Sequence, residues 1–283
     1  MILELIRFKR IADLGTITRA SETLWLTQPA LTQSMHRLEQ ELDFKLFKPS
    51  GKRIFLTERG KIVYEISRRI IEWWEKAKNL KDPTNFPPSY SIGVFDNAAL
   101  QLSEYFQKKI KNTKLEIDID RSENLLRKLQ YGLLDICICV LPKDVSLFTN
   151  VWLIKTYKEK LIPVSGNIWK EPISKIPFIL YNHDSQTQQY VNEAFSKSEI
   201  KPNVVAESIN PLFMKELAIK NFGVALLPEN MVDKDIQEKR LFVQKLPISF
   251  ERICGIFLNK EHITKDVEKI VREIITYLPN LPK

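Results

Sequence analysis

The chain has 283 residues, and its 43 lysines and arginines against 35 aspartates and glutamates give a net charge of +8. This length is enough for two or three domains, and no apolar run approaches the roughly 18 residues of a membrane-spanning helix. The start of the chain lacks the layout of a signal peptide, and three cysteines are compatible with a reducing compartment. We therefore expect a soluble, cytoplasmic protein.

The excess positive charge is concentrated near the start of the chain. Residues 1–80 hold 15 basic and 10 acidic residues, so +5 of the net charge lies there and +3 in the remaining 203 residues. Such clustering is the footprint of a nucleic-acid-binding module. The chain opens with a predicted amphipathic helix, whose apolar residues are Leu3, Ile6, Phe8, Ile11 and Leu14.

Residues 16–47 predict two helices joined by a tight break. Thr27 follows the break, and its hydroxyl can accept from the free backbone donors of the second helix. Pro29 falls in the first turn, where a missing N–H costs nothing. At about 100° per residue, the second helix has an apolar face and an opposite face of amides and hydroxyls. The apolar residues are Leu31, Met35, Leu38 and Leu42, and Pro29, Thr32, Gln33, His36 and Gln40 lie opposite.

A polar helix face with few charges suits a DNA major groove, where side chains pair with base edges. The alternative is a helical hairpin whose polar face is only solvated. Residues 45–61 favour the DNA interpretation, because a Pro-Ser-Gly turn signal and a short β-prone run make a basic hairpin directly after the helix. A helix followed by such a hairpin is a winged helix.

Residues 3–80 resemble the DNA-binding domain of a LysR-type transcriptional regulator, a bacterial winged helix-turn-helix family. The matching residues are Gly15, Thr18-Arg19-Ala20, Leu24, Thr27 to Thr32, Leu38-Glu39, Glu41-Leu42, Leu46-Phe47, Leu56-Thr57-Glu58 and Gly60. The family commonly has glycine where this chain has Asp43, and Asp tolerates a left-handed turn better than most residues. We predict that Gln28, Thr32, Gln33 and His36 read base edges and that Thr27, Arg37, Lys52 and Arg53 contact phosphates.

Residues 58–80 predict a long helix with Thr57 as its cap. Its apolar residues repeat at 3-4-3-4-3, the spacing of a coiled-coil seam. The seam consists of Val63, Ile66, Ile70, Trp73, Ala77 and Leu80, and Trp74 widens it. We interpret it as a dimerisation helix, in keeping with the resemblance, which implies antiparallel pairing across a dimer or tetramer. The alternative is packing against the chain's own second half. The proline-containing segment 81–89 predicts a hinge loop.

Residues 90–283 alternate short apolar strands with amphipathic helices, which is typical of α/β lobes. Predicted strands cover 91–95, 114–120, 135–140, 151–155, 160–164, 177–181, 203–206, 224–227, 241–245 and 252–258. Predicted helices cover 98–111, 124–131, 188–195, 211–220, 229–235 and 262–278. Two such series predict two lobes with a cleft between them. This half resembles the effector domain of the same family, a two-lobed, Rossmann-like domain similar to periplasmic binding proteins. The matching motifs are Ile92-Gly93, Leu133-Leu134-Asp135-Ile136 and Gly223-Val224-Ala225-Leu226-Leu227-Pro228. We expect lobe 1 at about 90–162 and 259–283, and lobe 2 at about 163–258.

Ligands of open α/β lobes bind at the carboxyl ends of the strands. This rule predicts an effector cleft lined by Phe95, Asp96, Asn97, Leu141, Asp184, Ser185, Thr187 and Ser208. Hydroxyls at the start of a helix suit a carboxylate or phosphate, although ordinary helix capping is an equal alternative. An acid at Asp96 disfavours an anionic effector, which leaves the class of ligand open.

Catalysis has little support in the sequence. The three histidines are far apart, and no metal-ligand spacing or nucleophile motif occurs. Cys137 and Cys139 are interpreted as packing residues on opposite faces of a strand, with Cys254 on another strand. We therefore expect neither an enzyme nor a cofactor or metal site. The predicted function is a DNA-binding regulator that answers to a small molecule, with RNA polymerase as a candidate partner. The alternatives are an architectural DNA binder with a vestigial cleft and an enzyme on a binding-protein scaffold.

Overall fold

The computed structural model describes residues 1–50, 53–78, 89–109 and 114–278. The chain divides into two compact units, Met1–Phe86 and Pro87–Lys283. Among the described helices, none is both long and apolar enough to cross a membrane.

The first unit is the predicted winged helix-turn-helix followed by a long helix. Its elements are α1 (Ile2–Leu14), α2 (Ile17–Leu24), α3 (Gln28–Leu42), β1 (Phe47–Ser50), β2 (Arg53–Leu56) and α4 (Glu58–Lys78). The strands β1 and β2 pair antiparallel and form the wing. The buried core draws on α1, α2 and α3, and it includes Phe8, Ile11, Ala20, Leu31 and Leu38. The apolar side of α3 therefore packs inward as its periodicity predicts.

Hydroxyl caps and left-handed residues fix the bounds of these helices. Thr27 precedes α3 and its hydroxyl accepts from the Ala30 N–H at 3.4 Å. Asp43 ends α3 with a φ of 58°, a left-handed conformation that Asp tolerates better than most residues. Thr57 caps α4, since its hydroxyl accepts from the Gly60 N–H at 2.9 Å. The helix-turn-helix is thus set by short-range hydrogen bonds and a few special backbone angles.

The start of α4 packs on the first unit itself. Val63 contacts the core formed by α1 and α3, and the Tyr64 hydroxyl donates to Asp13 Oδ1 at 2.6 Å. Val63 therefore packs in the core of its own unit. The heptad spacing had instead predicted this residue in a seam between two copies of the chain. Further along the helix, Ile70, Trp73 and Trp74 are exposed. Leu80 and most of the predicted hinge loop lie outside the described residues.

The second unit has the predicted α/β architecture. Its helices are α5 (Asp96–Lys109), α6 (Ser122–Gln130), α7 (Gln186–Lys197), α8 (Pro211–Ile219), α9 (Glu229–Gln237) and α10 (Lys265–Tyr277). Its strands are β3 (Ser89–Val94), β4 (Lys114–Ile119), β5 (Ile136–Val140), β6 (Val151–Ser165), β7 (Pro177–Tyr181), β8 (Asn203–Ser208), β9 (Val224–Pro228), β10 (Phe242–Val243) and β11 (Phe250–Asn259). The described strands form one sheet in the order β4-β3-β5-β11-β6-β9-β7-β8, with β10 beside β6.

Two long antiparallel strands join the halves of this sheet. The sequence predicts two separate strands, 151–155 and 160–164, but the structure has the single strand β6 over this range. Pairing with β11 extends from Leu161 opposite Phe250 to Val151 opposite Asn259. Because β11 supplies backbone partners throughout, the polar middle of β6 stays in strand conformation.

Helices cover both faces of each half of the sheet. In lobe 1, α5 and α10 share a core with β3, β5 and β11, and α6 packs on the other face. In lobe 2, α8 and α9 cover one face and α7 the other. The predicted lobes therefore each have their own pair of apolar layers.

The three cysteines are free and buried. Cys137 and Cys139 belong to the same core beneath α6, so their assignment to opposite faces was wrong, because residues two apart in a strand point the same way. Cys254 lies in the other core of lobe 1. Burial raises the pKa of Cys139 well above its usual value, which disfavours the reactive thiolate.

Candidate functional site

The outward side of α3 and the adjoining wing form the first candidate site. Gln28, Gln33, His36 and Arg37 are exposed on α3, while Thr32 is half-buried. Thr32 and His36 line a shallow groove that also includes Ile54 of the wing. Within the described residues, the side chains of Gln33 and His36 make no hydrogen bond to another part of the chain. Amide and imidazole groups are therefore presented outward for an external partner.

Three of the residues predicted to contact phosphates, Thr27, Arg37 and Arg53, lie in the part of the chain that the structure describes. Arg53 is exposed on β2, and Thr27 stands at the start of α3, where its hydroxyl already serves as the cap. Lys52 falls outside the described residues. Glu39 and Lys45 form an ion pair that stabilises the wing. Glu39 accepts from Lys45 Nζ at 2.7 Å and from the Leu46 N–H at 2.9 Å. The wing is thus tied to α3 by charge as well as by apolar packing.

The second candidate site is a cavity of about 110 Å³ within the α/β unit. Its walls come from the carboxyl ends of β3, β4, β5 and β7 and from the helix starts that follow. Its charged and polar lining residues are Asp96, Asn97, Asp120, Arg121, Ser122, Glu123, Tyr181, Asp184, Ser185, Gln186, Thr187 and Arg252. The cavity therefore lies where the rule for open α/β sheets expects a ligand.

Six of the eight predicted effector residues come together on the wall of this cavity. They are Phe95, Asp96, Asn97, Asp184, Ser185 and Thr187. Leu141 and Ser208 are not among the described residues that line it, although their neighbours Val140 and Ile209 are. The Leu141 carbonyl accepts from the Tyr190 hydroxyl at 3.0 Å, and the Ser208 hydroxyl accepts from the Asn210 N–H at 3.0 Å. Both residues therefore have local structural partners.

Arg252, one of the lining residues of the cavity, belongs to a buried ion pair with Glu159. Arg252 and Glu159 are directly opposite on β11 and β6, with Arg252 Nε donating to Glu159 Oε2 at 2.7 Å. Arg252 Nη1 donates to the Thr187 hydroxyl at 2.7 Å, and its guanidinium lies 4.9 Å from the centre of the Phe95 ring. Both charged side chains are about 95% buried. The guanidinium group of Arg252 is therefore already hydrogen-bonded within the protein.

Neighbouring groups complete the hydrogen bonding of Glu159. Asn97 Nδ2 donates to Glu159 Oε1, and Gln101 Nε2 donates to the same oxygen at 3.3 Å. This leaves Asn97 Oδ1 buried without a hydrogen-bond partner, and the same holds for Gln186 Oε1 and the Tyr181 hydroxyl. Burial raises the pKa of Tyr181 to about 12. The cavity wall thus holds polar oxygens that a bound molecule could satisfy.

One ion pair spans the mouth of the cavity. Arg121 at the end of β4 belongs to lobe 1 and Asp184 at the end of β7 to lobe 2, and their side chains form a salt bridge. Both are nearly half exposed, so water screens the pair and its contribution to stability is small. The position of this salt bridge is important, because its length depends on the distance between the two lobes.

The residues that sequence reasoning missed include Arg252 and Arg121, which line the cavity, and Glu159, which pairs with Arg252. Arg121 follows β4, and applying the strand-end rule to that strand would have found it. Glu159 lies on the same period-two alternation as the buried Tyr157 and Leu161, a signal hidden by the predicted break in the strand. The pairing of Arg252 with Glu159 spans 93 residues, and no local pattern encodes it.

Comparisons with known proteins match both parts of the chain to models of the same family. The family model described as a bacterial regulatory helix-turn-helix protein of the lysR family matches residues 3–61, and that of the LysR substrate binding domain matches residues 91–278. YybE of Bacillus subtilis, named as an uncharacterized HTH-type transcriptional regulator, is 24% identical over 285 residues, covering 95% of each chain.

Solved structures show the same fold over the whole chain. ArgP from Mycobacterium tuberculosis has a TM-score of 0.68 at 14% identity, covering 99% of this chain and 98% of that one. Vibrio fischeri DarR in complex with DNA has a TM-score of 0.57 at 19% identity, covering 97% and 98%. Since the substrate-domain match alone spans more than half of the chain, the chain belongs to the LysR family of transcriptional regulators, with an N-terminal helix-turn-helix and a C-terminal effector-binding domain.

Proposed function

We propose that α3 reads an operator in the major groove and that the wing holds the DNA backbone. Gln28, Thr32, Gln33 and His36 are assigned to base edges, where amide and hydroxyl groups find complementary donors and acceptors. Arg37, Lys52, Arg53 and Thr27 are assigned to phosphates, which fix register without carrying sequence information. The observation that supports this proposal is the outward face of α3. Its amide and imidazole groups are exposed, while the apolar side of the same helix is buried.

We further propose that two copies of the chain associate through α4 and that a small molecule in the cavity regulates them. The exposed Ile70, Trp73 and Trp74, with Ile66 and Ala77 on the same helix, supply an apolar surface for a second copy. A ligand that prefers one spacing of the lobes shifts the population of two assemblies and so the separation of the DNA modules. RNA polymerase remains a candidate partner of the DNA-bound form.

The architectural alternative, with a vestigial cleft, is less well supported. A cleft that had lost its ligand would be expected to fill with apolar side chains. Here the cavity is lined by charged residues and retains buried oxygens without partners. The polar lining supports a working ligand site.

The experiment is a selection of bound sequences from random duplex DNA by the full-length protein at two salt concentrations. A sequence-reading dimer should recover a dyad-symmetric site that outcompetes bulk DNA at the higher salt. Binding without any motif, lost as salt rises, would mean that charge alone holds the DNA, and the regulator proposal would then fail.

Matched variants on the recovered operator separate reading from anchoring. Gln33→Ala should relax specificity at one position and cost about 1–3 kcal/mol on the preferred base, whereas Arg53→Ala should weaken all sequences alike and reduce the salt slope by about one. Competition assays against a panel of single-base operator variants measure both effects. The same profile for the two variants would contradict the division of roles.

A further inference from the structure

The charges of the cavity are unbalanced towards acid. Four carboxylates line it, from Asp96, Asp120, Glu123 and Asp184, against the guanidinium groups of Arg121 and Arg252. Both guanidinium groups are already committed, Arg252 to Glu159 and Arg121 to Asp184. Because Arg252 is buried against Glu159 and the four carboxylates outnumber the two guanidinium groups, an anionic ligand would face net repulsion.

Asp96 differs from the other three carboxylates. Asp120 is held by Lys128, Glu123 by Arg127, and Asp184 by Arg121. Among the described residues, no side chain forms a hydrogen bond or ion pair with the Asp96 carboxylate, which is half-buried at the first position of α5. Burial raises its pKa, against the opposing effect of Arg252. A bound cation would relieve this cost.

Two neutral acceptors accompany this carboxylate. Asn97 is 1% exposed, and its Nδ2 must face Glu159, because two acceptor oxygens cannot pair. Its Oδ1 is thereby fixed as a buried acceptor without a partner, and Gln186 Oε1 is another. A buried acceptor without a hydrogen bond costs on the order of 1–3 kcal/mol. The residues of the wall therefore carry two buried amide oxygens without a partner and one carboxylate that no described side chain pairs.

We propose that the effector is a small molecule with a protonated amino group, bound by the Asp96 carboxylate with Asn97 Oδ1 and Gln186 Oε1 as further acceptors. An ammonium group has three N–H donors and no acceptor, which matches this set. The volume of about 110 Å³ is well below the roughly 300–1,000 Å³ of pockets for drug-sized ligands, so the molecule is of metabolite size. This inference rests on the proposed effector role of the cavity.

The test uses thermal unfolding and calorimetry of the full-length protein with pairs of probes of similar size, of which only one member carries a protonated amino group. The pairs are butylamine and butyrate, ethanolamine and glycolate, 1,4-diaminobutane and succinate, and L-amino acids with their 2-oxo acids. A ligand that binds the native state raises Tm. We expect at least one amine-bearing probe to raise Tm and its acid counterpart to leave Tm unchanged.

Two variants locate the binding. Asp96→Asn keeps the shape of the side chain and should weaken the amine at least tenfold. Glu193→Gln removes a carboxylate of α7 that is not among the lining residues of the cavity and should change affinity less than twofold. The melting temperature of each unliganded variant shows that it is folded.

The outcomes separate the inference from the proposed function. Stabilisation by the acids alone, or equal affinity of the amine for Asp96→Asn and the unmodified protein, would overturn the amine assignment while leaving an effector site. Absence of binding by every probe of both charges would overturn the effector role of the cavity and the inference with it.

Discussion

At the scale of single residues, the centre of the effector domain is a charge pair in an apolar setting. Arg252 and Glu159 face each other on the two strands that connect the lobes, and both are almost fully buried. Two charges removed from water are tolerated only when each is paired and hydrogen-bonded. Asn97, Gln101 and Thr187 supply those additional bonds.

Removing one member of this pair should cost far more than removing both. Arg252→Met leaves the Glu159 carboxylate buried without its cation, and we expect a loss of roughly 3–5 kcal/mol in the free energy of unfolding. The double variant Glu159→Leu/Arg252→Met should recover at least half of that loss. Chemical denaturation of the effector domain within the full-length protein measures both. An equal or greater loss in the double variant would show that the strands, not the charges, limit stability.

Glu39 links the stability of the first unit to pH. Burial raises its pKa, but hydrogen bonds from Lys45 and the Leu46 N–H outweigh that effect and hold the pKa below 4.5. A folded-state pKa below the unfolded one contributes stability above pH 4.5, which is lost as pH falls through the folded value. Glu39→Gln keeps an acceptor for Leu46 and should cost roughly 0.5–1 kcal/mol at pH 7.

The pH series provides the control for that variant. Once the pH has fallen below the lowered folded-state pKa of Glu39, both proteins carry a neutral side chain at position 39, so their melting temperatures should converge. A difference that stayed constant from pH 7 to below that pKa would mean that the Glu39 charge does not stabilise the wing.

At the scale of elements, the approach of α4 to the wing depends on one glycine. A Cβ at Gly60 would lie 2.1 Å from the Leu46 carbonyl oxygen, a backbone atom that cannot move aside cheaply. That carbonyl accepts from the Thr57 N–H at 2.9 Å, at the same junction where Thr57 caps the helix. The junction therefore orients α4 and with it the exposed apolar residues.

Gly60→Ala should destabilise the first unit by about 2–3 kcal/mol, because backbone must shift to admit the methyl group. Gly15→Ala is the matched control: a Cβ there meets nothing within 4 Å, and only its φ of 69° is unfavourable, at a cost of about 1 kcal/mol. Thermal unfolding of both variants distinguishes a steric clash from backbone strain. Equal losses would show that the close approach to Leu46 is relaxed at little cost.

At the scale of the whole molecule, the proposed dimer depends on apolar side chains of α4 that a single chain leaves exposed. Trp74 is 44% exposed and Ile70 is 38% exposed on α4. Burial of such side chains against a second copy would contribute about 25 cal/mol per Å². A regulator that binds a dyad-symmetric site requires such a pairing, because protein and operator symmetry match.

Charge on this surface should therefore separate the copies. The double variant Ile70→Glu/Trp74→Glu is expected to raise the dimer dissociation constant at least tenfold, since charged groups would be buried in an apolar interface. Sedimentation over a range of protein concentrations measures it, with Lys61→Glu at the exposed start of α4 as the control. An unchanged dimer in the double variant would place the interface elsewhere.

The features that the sequence alone determined depend on neighbouring residues or on a repeating pattern of apolar residues. The cap at Thr27, the two faces of α3 and the strand Pro177–Tyr181 depend on residues within one or two turns or on simple alternation. Asp96, Asn97 and Ser185 were chosen because they follow the ends of strands, and all three line the cavity. Chain order and strand direction are enough to locate such strand ends.

Only the tertiary structure decided what depends on register between distant segments. The continuous strand β6 exists because β11, about 90 residues further along the chain, supplies its backbone partners. The same register places Arg252 against Glu159 and commits that guanidinium to a partner within the protein. Local propensity cannot encode these choices, since they follow from pairing and burial that exist only once the lobes have formed.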